Sequence, residues 1–432
     1  MKSVSCPALM IAAPASGGGK TSITAALARM HARQGRRVRV FKCGPDFLDA
    51  KIHAVASGAP CDNVDLWICG EDDIRARFAQ AAQDADLILV EGVMGLFDGL
   101  PSSADIAERF GLPVVAIIDA RAMAQTFAAI AFGLAHYRPG LPFRGVFANR
   151  VGSERHADLL RCALPADIAW LGALPREERA TLPARHLGLL PAEEIDGLVA
   201  RIDILADALA TTPLAELPPP VAFDLPVATP PAGLTRTLAG RAIAVARDDA
   251  FCFIYPANLE LLEAQGASLR FFSPLAGDAL PECDALWLPG GYPELHAERL
   301  AGRSALWAQL RAHVDGGKPL LAECGGMMTL FETLVDLDGR AHATAGLLAG
   351  TTTMGKRLAA LGAQAVDLPE GALRGHSFHH SRCATALTPL AHALHSDGRK
   401  GEPVWRRQRL TASYVHFYFP SNPTAAAALF LP

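Results

Sequence analysis

The sequence predicts an α/β protein of two domains, each built on a parallel β-sheet. Short apolar runs alternate with amphipathic or Ala-rich stretches from Ala8 to about Asn149, the same alternation restarts near Arg241, and a Pro-rich stretch lies between them. Strands too apolar to face water are typical of a parallel sheet covered on both faces. A chain of 432 residues is also long enough for two or three domains.

Five apolar segments of the first region predict its strands. They read ALMIAA, RVRVFK, ADLILVEG, LPVVAIID and FRGVFANRV. We assign residues 1–216 to this domain, and residues 217–240 to a linker, because six prolines between Leu217 and Leu234 remove backbone donors and disfavour helix. The linker prediction sets the start of the second domain.

The second domain is assigned to residues 241–432. Its predicted strands are RAIAVARDD, SLRFF, CDALWLPGG and KPLLAECGG, with a Leu/Glu-rich helix that ends at Gly266. The last stretch, GEPVWRRQRLTASYVHFYF, is rich in aromatic and β-branched residues and predicts antiparallel strands.

Composition excludes several classes of protein. A net charge of −4, from 40 basic and 44 acidic residues, argues against a general nucleic-acid binder, which needs a surplus of Lys and Arg. The sequence has no uninterrupted apolar run of about 18 residues, so we expect no membrane span. The N-terminus lacks the features of a secretory signal. The nine cysteines form no C-x-x-C pair, which disfavours disulfides and structural zinc. We therefore expect a cytoplasmic protein.

A glycine-rich loop, APASGGGKTS, follows the first strand and precedes a helical pattern. Glycines let backbone amides face phosphate oxygens, a Lys reaches the terminal phosphates, and a Thr hydroxyl can bind Mg²⁺. The loop is a variant of the usual spacing, because Pro14 stands where the first Gly would be. An ordinary Gly-rich turn is the alternative. The candidate nucleotide-binding residues here are Gly17, Gly18, Gly19, Lys20, Thr21 and Ser22.

Acidic residues follow two further predicted strands. Asp46 and Asp49 come after the second strand, and Glu91 and Asp98 come after the third. The carboxyl ends of parallel strands form the ligand crevice of an open sheet, so these carboxylates are candidates for metal and substrate binding. Helix caps or solvated turn groups are the alternative for each of them.

Two polar residues complete this predicted edge. Lys42 stands beside the first acidic pair and is a second candidate for phosphate contact. Asn149 ends the GVFAN strand, where it can read a nucleobase edge or serve as a plain turn residue. Both are assigned to nucleotide binding.

Cys324, in KPLLAECGGMMTLFETL, is the candidate nucleophile. It stands between an apolar strand and a predicted amphipathic helix, the arrangement of a nucleophile elbow. We expect the helix N-terminus to lower the pKa of the thiol. Backbone amides of Gly290, Gly291 and Gly325 are the candidate oxyanion donors.

His416, in SYVHFYF, is the candidate general base for the thiol, since a thiolate needs an imidazole within hydrogen-bond reach. A structural histidine is the alternative. Many glutamine amidotransferases have Glu two positions later, where this chain has Tyr418. The group that orients His416 is therefore left open.

Together these motifs resemble the cobyrinate/hydrogenobyrinate a,c-diamide synthase family of cobalamin biosynthesis. The resemblance runs over nearly the whole chain. It rests on the variant phosphate loop, GPDFLD, VEGVMGLFDG, ANRVGS, LPGGYPEL, AECGGMM, RGHSFHHS and SYVHFYF. It implies an N-terminal P-loop NTPase domain similar to dethiobiotin synthetase and a C-terminal domain similar to class I glutamine amidotransferases.

The resemblance implies a ligase with two reactions. Glutamine would be hydrolysed at Cys324, and MgATP would phosphorylate the a and c acetate carboxylates of a corrin-type macrocycle before ammonia displaces phosphate. It makes Thr21, Asp46 and Glu91 the metal ligands, and places Asp46, Asp49 and Asp98 near the substrate carboxylate or the phosphates. The resemblance does not determine whether the macrocycle contains cobalt or whether the chain forms a homodimer.

The segment RGHSFHHS is rich in Arg and His. Under this resemblance Arg374 and His376 belong to a polar wall that meets the polycarboxylate substrate, and a solvated loop is the alternative. The rival function for the whole chain is a P-loop ATPase switch of the partition or metallochaperone type. Such a switch has no need for a thiol on an elbow.

Overall fold

The computed structural model describes residues 2–185, 188–189, 192–225 and 236–432. The chain divides into two compact units, one of Met1–Leu66 with Gly70–Ala228 and one of Trp67–Cys69 with Thr229–Pro432. None of the described helices is long and apolar enough to cross a membrane. Each of the nine cysteines is a free thiol.

The first unit alternates strands and helices along the chain. Its strands are β1 (Ser3–Ala12), β2 (Val38–Cys43), β3 (Asp62–Val64), β4 (Leu87–Glu91), β5 (Val114–Asp119), β6 (Phe143–Val151), β7 (Trp170–Pro175), β8 (Ala184–Arg185), β9 (Gly188–Leu189) and β10 (Pro220–Asp224). Its helices are α1 (Lys20–Arg33), α2 (Phe47–Ser57), α3 (Glu71–Asp84), α4 (Ser103–Phe110), α5 (Thr126–His136), α6 (Glu154–Ala163) and α7 (Leu198–Leu209).

The main sheet of this unit is parallel, in the order β3-β2-β4-β1-β5-β6-β7. The five apolar segments predicted as strands form β1, β2, β4, β5 and β6. Leu89 and Ile117 in its middle strands are almost fully buried and pack in one core with Leu27 of α1. The carboxyl ends of β1, β2 and β4 therefore meet at one edge, as a parallel sheet requires.

The predicted linker, residues 217–240, begins with a strand instead. β10 pairs antiparallel with the first half of β1, from Ser3 opposite Asp224 to Pro7 opposite Pro220. Phe223 is buried beside Phe78 of α3. Proline is compatible with such a pair at an edge position, which is why a Pro-rich segment can form a strand. Residues 226–235 of the predicted linker lie outside the described residues.

The second unit is built on a ten-stranded mixed sheet and a smaller four-stranded one. Its strands are β11 (Ala242–Ala246), β12 (Ser268–Phe272), β13 (Ala285–Leu288), β14 (Leu320–Glu323), β15 (Phe331–Val335), β16 (Ala341–Ala343), β17 (Leu348–Met354), β18 (Ala360–Leu368), β19 (Gly371–His379), β20 (Ser381–Ala384), β21 (Ala391–His395), β22 (Lys400–Arg407), β23 (Leu410–Ser413) and β24 (His416–Tyr418). Its helices are α8 (Pro256–Ala264), α9 (Ala297–Ala301), α10 (Ser304–Asp315), α11 (Gly325–Met328) and α12 (Pro423–Ala428).

The ten strands run in the order β12-β11-β13-β14-β23-β22-β21-β18-β19-β24. The first five are parallel neighbours, and the remainder pair antiparallel. The predicted antiparallel strands near the C-terminus are present as β22 and β23, although β23 also pairs parallel with β14. This mixed pairing joins the end of β14 to the last strands of the chain.

The amphipathic helix predicted after Cys324 is wrong. Helix α11 covers only Gly325–Met328, and the following residues form strand β15. Phe331 and Leu334 of β15 are buried in the core. The short apolar run after Cys324 is compatible with the periodicity of a helix or of a strand. It forms a strand because it pairs with β17.

Candidate functional site

The phosphate loop joins β1 to the first turn of α1, as predicted. Gly17 and Gly19 have φ values of +79° and +99°, which residues other than glycine rarely adopt. A Cβ at Gly19 would also overlap the Asn149 side-chain amide. Asn149 is buried and donates from Nδ2 to the Gly18 carbonyl at 3.0 Å. The structure thus places Asn149 behind the loop, where it fixes the loop's backbone.

Lys20 is buried at the start of α1. Its Nζ donates to the Met94 carbonyl at 2.6 Å and to the Ala15 carbonyl at 3.4 Å. Burial lowers the pKa of Lys20, against the opposing effect of the Glu91 carboxylate. The Lys20 ammonium therefore lies beside the loop, and its contact with phosphates stays a prediction. Ser22 is half-buried in the same helical turn.

Thr21 and Glu91 come together where β1 and β4 end. The Thr21 hydroxyl donates to Glu91 Oε1 at 2.9 Å, and the Glu91 side chain is buried. Mg²⁺ prefers oxygen ligands and is commonly held by one or two carboxylates together with phosphates and water. This pair fits that ion. The described residues contain no group of three or more His, Cys, Asp or Glu side chains arranged to hold a metal.

Asp46 and Asp98 both bind backbone amides. Asp46 caps α2 and accepts from the amides of Leu48 and Asp49, so the alternative of a helix cap describes its contacts. Asp98 is exposed, and its Oδ2 accepts from the Gly95 amide at 2.9 Å. Asp98 thereby shapes the turn whose Met94 carbonyl meets Lys20.

Lys42 lies in a buried charged network at the end of β2. Its Nζ is 3.6 Å from Asp49 Oδ2 and 3.8 Å from Glu91 Oε1. Burial lowers the pKa of Lys42, but Glu91 and Asp49 outweigh it, so the net pKa lies above the ordinary value. Burial raises the pKa of Glu91, yet Lys42 and His53 bring it down to about 2. Glu91 is therefore a carboxylate at neutral pH.

His53 belongs to this network and was missed by the sequence reasoning. It is fully buried, and its Nε2 is in close contact with Glu91 Oε2. The available signal was spacing, because His53 follows Asp49 by four residues on α2 and so shares its helix face. His53 and Thr21 contact different oxygens of Glu91 and fix the orientation of its carboxylate.

Cys324 lies on a strained turn between β14 and α11. Its φ of +44° is unusual for a residue with a side chain, and its amide donates to the Ser413 carbonyl at 2.8 Å. This turn confirms the predicted elbow. The expected lowering of the thiol pKa is wrong, because burial raises the pKa of Cys324 well above its ordinary value, and Glu294 adds to this.

His416, on β24, lies beside the elbow. A Cβ built at Gly290 would overlap the His416 ring and would lie 3.3 Å from Cys324 Cβ. Only glycine fits between the imidazole and the nucleophile. Burial lowers the pKa of His416 well below its ordinary value, so the imidazole is neutral at neutral pH.

The predicted oxyanion glycines lie where the turn after β13 packs against the start of α11. Gly325 packs so closely on the Gly290–Pro293 segment that a Cβ would lie 3.0 Å from the Gly291 nitrogen and 2.7 Å from Pro293 Cδ. Gly291, at φ +159°, has no room for a side chain beside the Ala250 backbone. The structure thus brings the three glycines together, and the role of their amides as oxyanion donors stays a prediction.

Glu323, directly before the nucleophile, was also missed. It is buried, accepts from Trp287 Nε1 at 2.9 Å and from the Phe417 amide at 2.8 Å, and connects β14 to β24. Burial raises the pKa of Glu323 to about 8. An acidic residue ending an apolar strand was the available signal.

Arg374 and His376, predicted to form one polar wall, point to different surroundings. Arg374 is exposed and donates to the Trp67 carbonyl at 3.0 Å, within the second unit. His376 is buried, and its ring stacks on that of His416. Residues two apart on a strand face the same side of the sheet, so Arg374 and His376 share a face of β19 but differ in burial.

The comparisons with known proteins cover both units. Residues 9–190 match the family model of the CobQ/CobB/MinD/ParA nucleotide binding domain. Residues 242–424 match that of the CobB/CobQ-like glutamine amidotransferase domain. The predicted fold class, with a nucleotide-binding domain before an amidotransferase domain, is confirmed.

Whole-length relatives decide the family. The hydrogenobyrinate a,c-diamide synthase of Pseudomonas aeruginosa is 59% identical over 433 residues, covering 100% of this chain and 99% of that protein. That of Stutzerimonas stutzeri is 58% identical and covers 100% of both chains. The chain belongs to the a,c-diamide synthase family. The cobyrinate a,c-diamide synthase of Herminiimonas arsenicoxydans is 46% identical, covering 98% of this chain and 96% of that protein.

Membership in this family confirms that the chain is an amide-forming ligase with a glutamine amidotransferase domain. The N-terminal match alone does not separate a synthase from a partition ATPase, because its description includes both. The C-terminal match and the Cys324 turn do separate them. The switch protein considered as an alternative lacks support.

Proposed function

We propose that this chain uses ATP and glutamine to amidate the a and c acetate carboxylates of hydrogenobyrinate or cobyrinate. The observation that carries the proposal is a buried thiol on a strained turn with the His416 imidazole packed at the same glycine, Gly290, in a chain whose other unit has a phosphate loop. The names of whole-length relatives support the substrate. Neither unit completes this reaction by itself.

In the second unit, Cys324 attacks the side-chain carbonyl of glutamine. His416 accepts the thiol proton and returns it to the departing nitrogen, so that ammonia leaves and a thioester remains. The amides of Gly291 and Gly325 stabilise the oxyanion formed in this step. Water then releases glutamate. The raised thiol pKa means that the proton moves when the substrate is bound, instead of beforehand.

In the first unit, the macrocycle carboxylate attacks the terminal phosphate of ATP and ADP leaves. Lys20 and the amides of Gly17–Gly19 neutralise and position the phosphates. Thr21 and Glu91 would hold Mg²⁺, which supplies charge neutralisation at the phosphate oxygens. Ammonia then attacks the acyl carbon and phosphate leaves. Activation is needed because a free carboxylate resists attack by ammonia.

Substitution of the nucleophile tests this division. Cys324→Ser should abolish product formation with glutamine but leave synthesis with a high concentration of ammonium salt largely intact. The assay uses ATP, Mg²⁺, the nitrogen donor and each candidate macrocycle, followed by mass measurement, where each amidation replaces a hydroxyl with an amino group. Equal loss with both nitrogen donors would contradict the proposal. So would product from neither macrocycle with the unmodified chain.

A further inference from the structure

A second histidine lies directly against the proposed base. Antiparallel pairing of β19 with β24 sets His376 opposite His416. Their rings are stacked, with centroids 4.9 Å apart and an angle of 17° between the planes. Both side chains are buried, with 2% exposed. The plane of the His416 ring is therefore defined by a neighbour that has very little freedom.

His376 is itself held in place by a tyrosine. The Tyr255 hydroxyl is 2.8 Å from His376 Nδ1. Tyr255 also packs edge-on against Tyr418, with ring centroids 5.3 Å apart at 87°. Tyr418 stands two residues after His416, where many glutamine amidotransferases have the Glu that orients the base. Tyr255 thus contacts side chains of both strands that carry the stacked histidines.

We propose that His376, clamped by Tyr255, is the positioning residue that orients His416 for proton transfer from Cys324. This inference deepens the proposed function and rests on its glutaminase step. It differs from the predicted role of His376 in substrate binding, since a buried ring stacked on the base is not available to a macrocycle.

The chemistry of the cluster supports a role in orientation and not in charge. Burial lowers the pKa of His376 to about 3, so the ring is neutral at neutral pH. A neutral ring fixes its neighbour's plane through contact but adds no negative charge to stabilise an imidazolium. Correct orientation alone is valuable, because a misplacement of about 1 Å can cost on the order of 100-fold in rate.

Three variants separate orientation from general stability. His376→Ala removes the ring, His376→Phe keeps a flat ring but loses the hydrogen bond, and Tyr255→Phe loses the same bond from the other side. His313→Ala is the matched control, because His313 is another buried histidine of this unit and is bonded to the Pro319 carbonyl at 2.9 Å. All variants are made in the full-length chain, with urea midpoints measured alongside activity.

We expect His376→Ala to lower kcat for glutamine hydrolysis by about 100-fold, with KM for glutamine changed by less than about threefold. His376→Phe should recover most of this loss, and Tyr255→Phe should lie between the two. Ammonia-dependent synthesis should stay unchanged in all three. His313→Ala should lower the urea midpoint without a selective loss of glutamine hydrolysis.

The assignment is overturned if His376→Ala hydrolyses glutamine as well as His313→Ala does. It is also overturned if His376→Phe, folded by its urea midpoint, is as inactive as His376→Ala, or if both nitrogen donors are lost in parallel. If His376→Ala does not fold, the test depends on His376→Phe and Tyr255→Phe. Loss of glutamine hydrolysis in both variants would overturn the positioning role of the stacked ring. Glutamine hydrolysis that survives Cys324→Ser refutes the proposed function itself, so the two failures are distinguishable.

Discussion

At the scale of single residues, the carboxyl group of Glu323 is unusual for its position. It stands beside the nucleophile and is buried between Trp287 and the backbone of β24. Two donors favour its charged form, but burial has the larger effect and raises the pKa to about 8. At neutral pH this group is mostly a neutral carboxyl, so it joins two strands without adding full charge next to the thiol.

Glu323 should make the stability of the chain depend on pH. Its pKa rises from 4.5 to about 8 on folding, so the folded state binds this proton more tightly. The stabilisation is complete below about pH 4.5 and is lost as the pH rises through about 8. The free energy of unfolding, relative to Glu323→Gln, should fall across this window by at most about 1.4 kcal/mol per pH unit.

Urea unfolding of both chains, followed by tryptophan fluorescence at several pH values, measures this difference. Glu323→Gln presents an amide donor to one of the two existing donors, so a constant loss of stability is expected as well. The informative quantity is the slope against pH. A difference that stays flat, or that grows with pH, would show that Glu323 is ionised throughout this range.

At the scale of elements, a glycine turn after β13 decides the spacing between nucleophile and base. Gly290 lies where any Cβ would overlap the His416 ring and contact Cys324. Its carbonyl also accepts from the Phe253 amide at 2.9 Å, which fixes the turn. Loops that approach a site this closely require glycine.

Gly290→Ala should displace His416 and lower glutamine-dependent synthesis by about 100-fold, while ammonia-dependent synthesis is retained. Gly302→Ala is the control, since a Cβ there meets only the Arg299 carbonyl at 3.4 Å. Steady-state rates with the two nitrogen donors make the comparison. Full glutamine-dependent activity in Gly290→Ala would mean that the imidazole is not held at this turn.

At the scale of the whole molecule, the two units each contain one half of the proposed chemistry. The phosphate loop, Thr21, Glu91 and Lys42 all belong to the first unit, and Cys324 and His416 belong to the second. Carboxylate activation precedes nitrogen attack from either source. A defect in the first unit should therefore affect both nitrogen donors, whereas a defect in the second affects only glutamine.

Lys20→Ala should lower product formation with glutamine and with ammonium salt alike, by about 100-fold or more, because the phosphate charge is no longer neutralised. Release of glutamate from glutamine should continue. Lys2→Ala, at an exposed lysine, serves as the control. Ammonia-dependent synthesis that survives in Lys20→Ala would remove Lys20 from the phosphate role.

The sequence alone determined the parts whose signal is local. The phosphate loop, the strands of the parallel sheets and the turn at Cys324 each depend on residues close together in the chain, so pattern and spacing predicted them. Local patterns predicted secondary structure less reliably where packing against distant strands determines it. The residues after Cys324 form β15 because they pair with β17, and the start of the Pro-rich segment becomes β10 because β1 offers an edge.

Only the tertiary structure decided which polar side chains meet. His53 reaches Glu91 from a different element, and His376 lies against His416 through a strand pairing that joins distant segments. Burial in the folded chain also determines the charge of the thiol and the imidazole. It raises the pKa of the Cys324 thiol and lowers that of His416. Sequence fixes which ionisable groups are present, but solvent exclusion and neighbouring charges exist only in the folded chain.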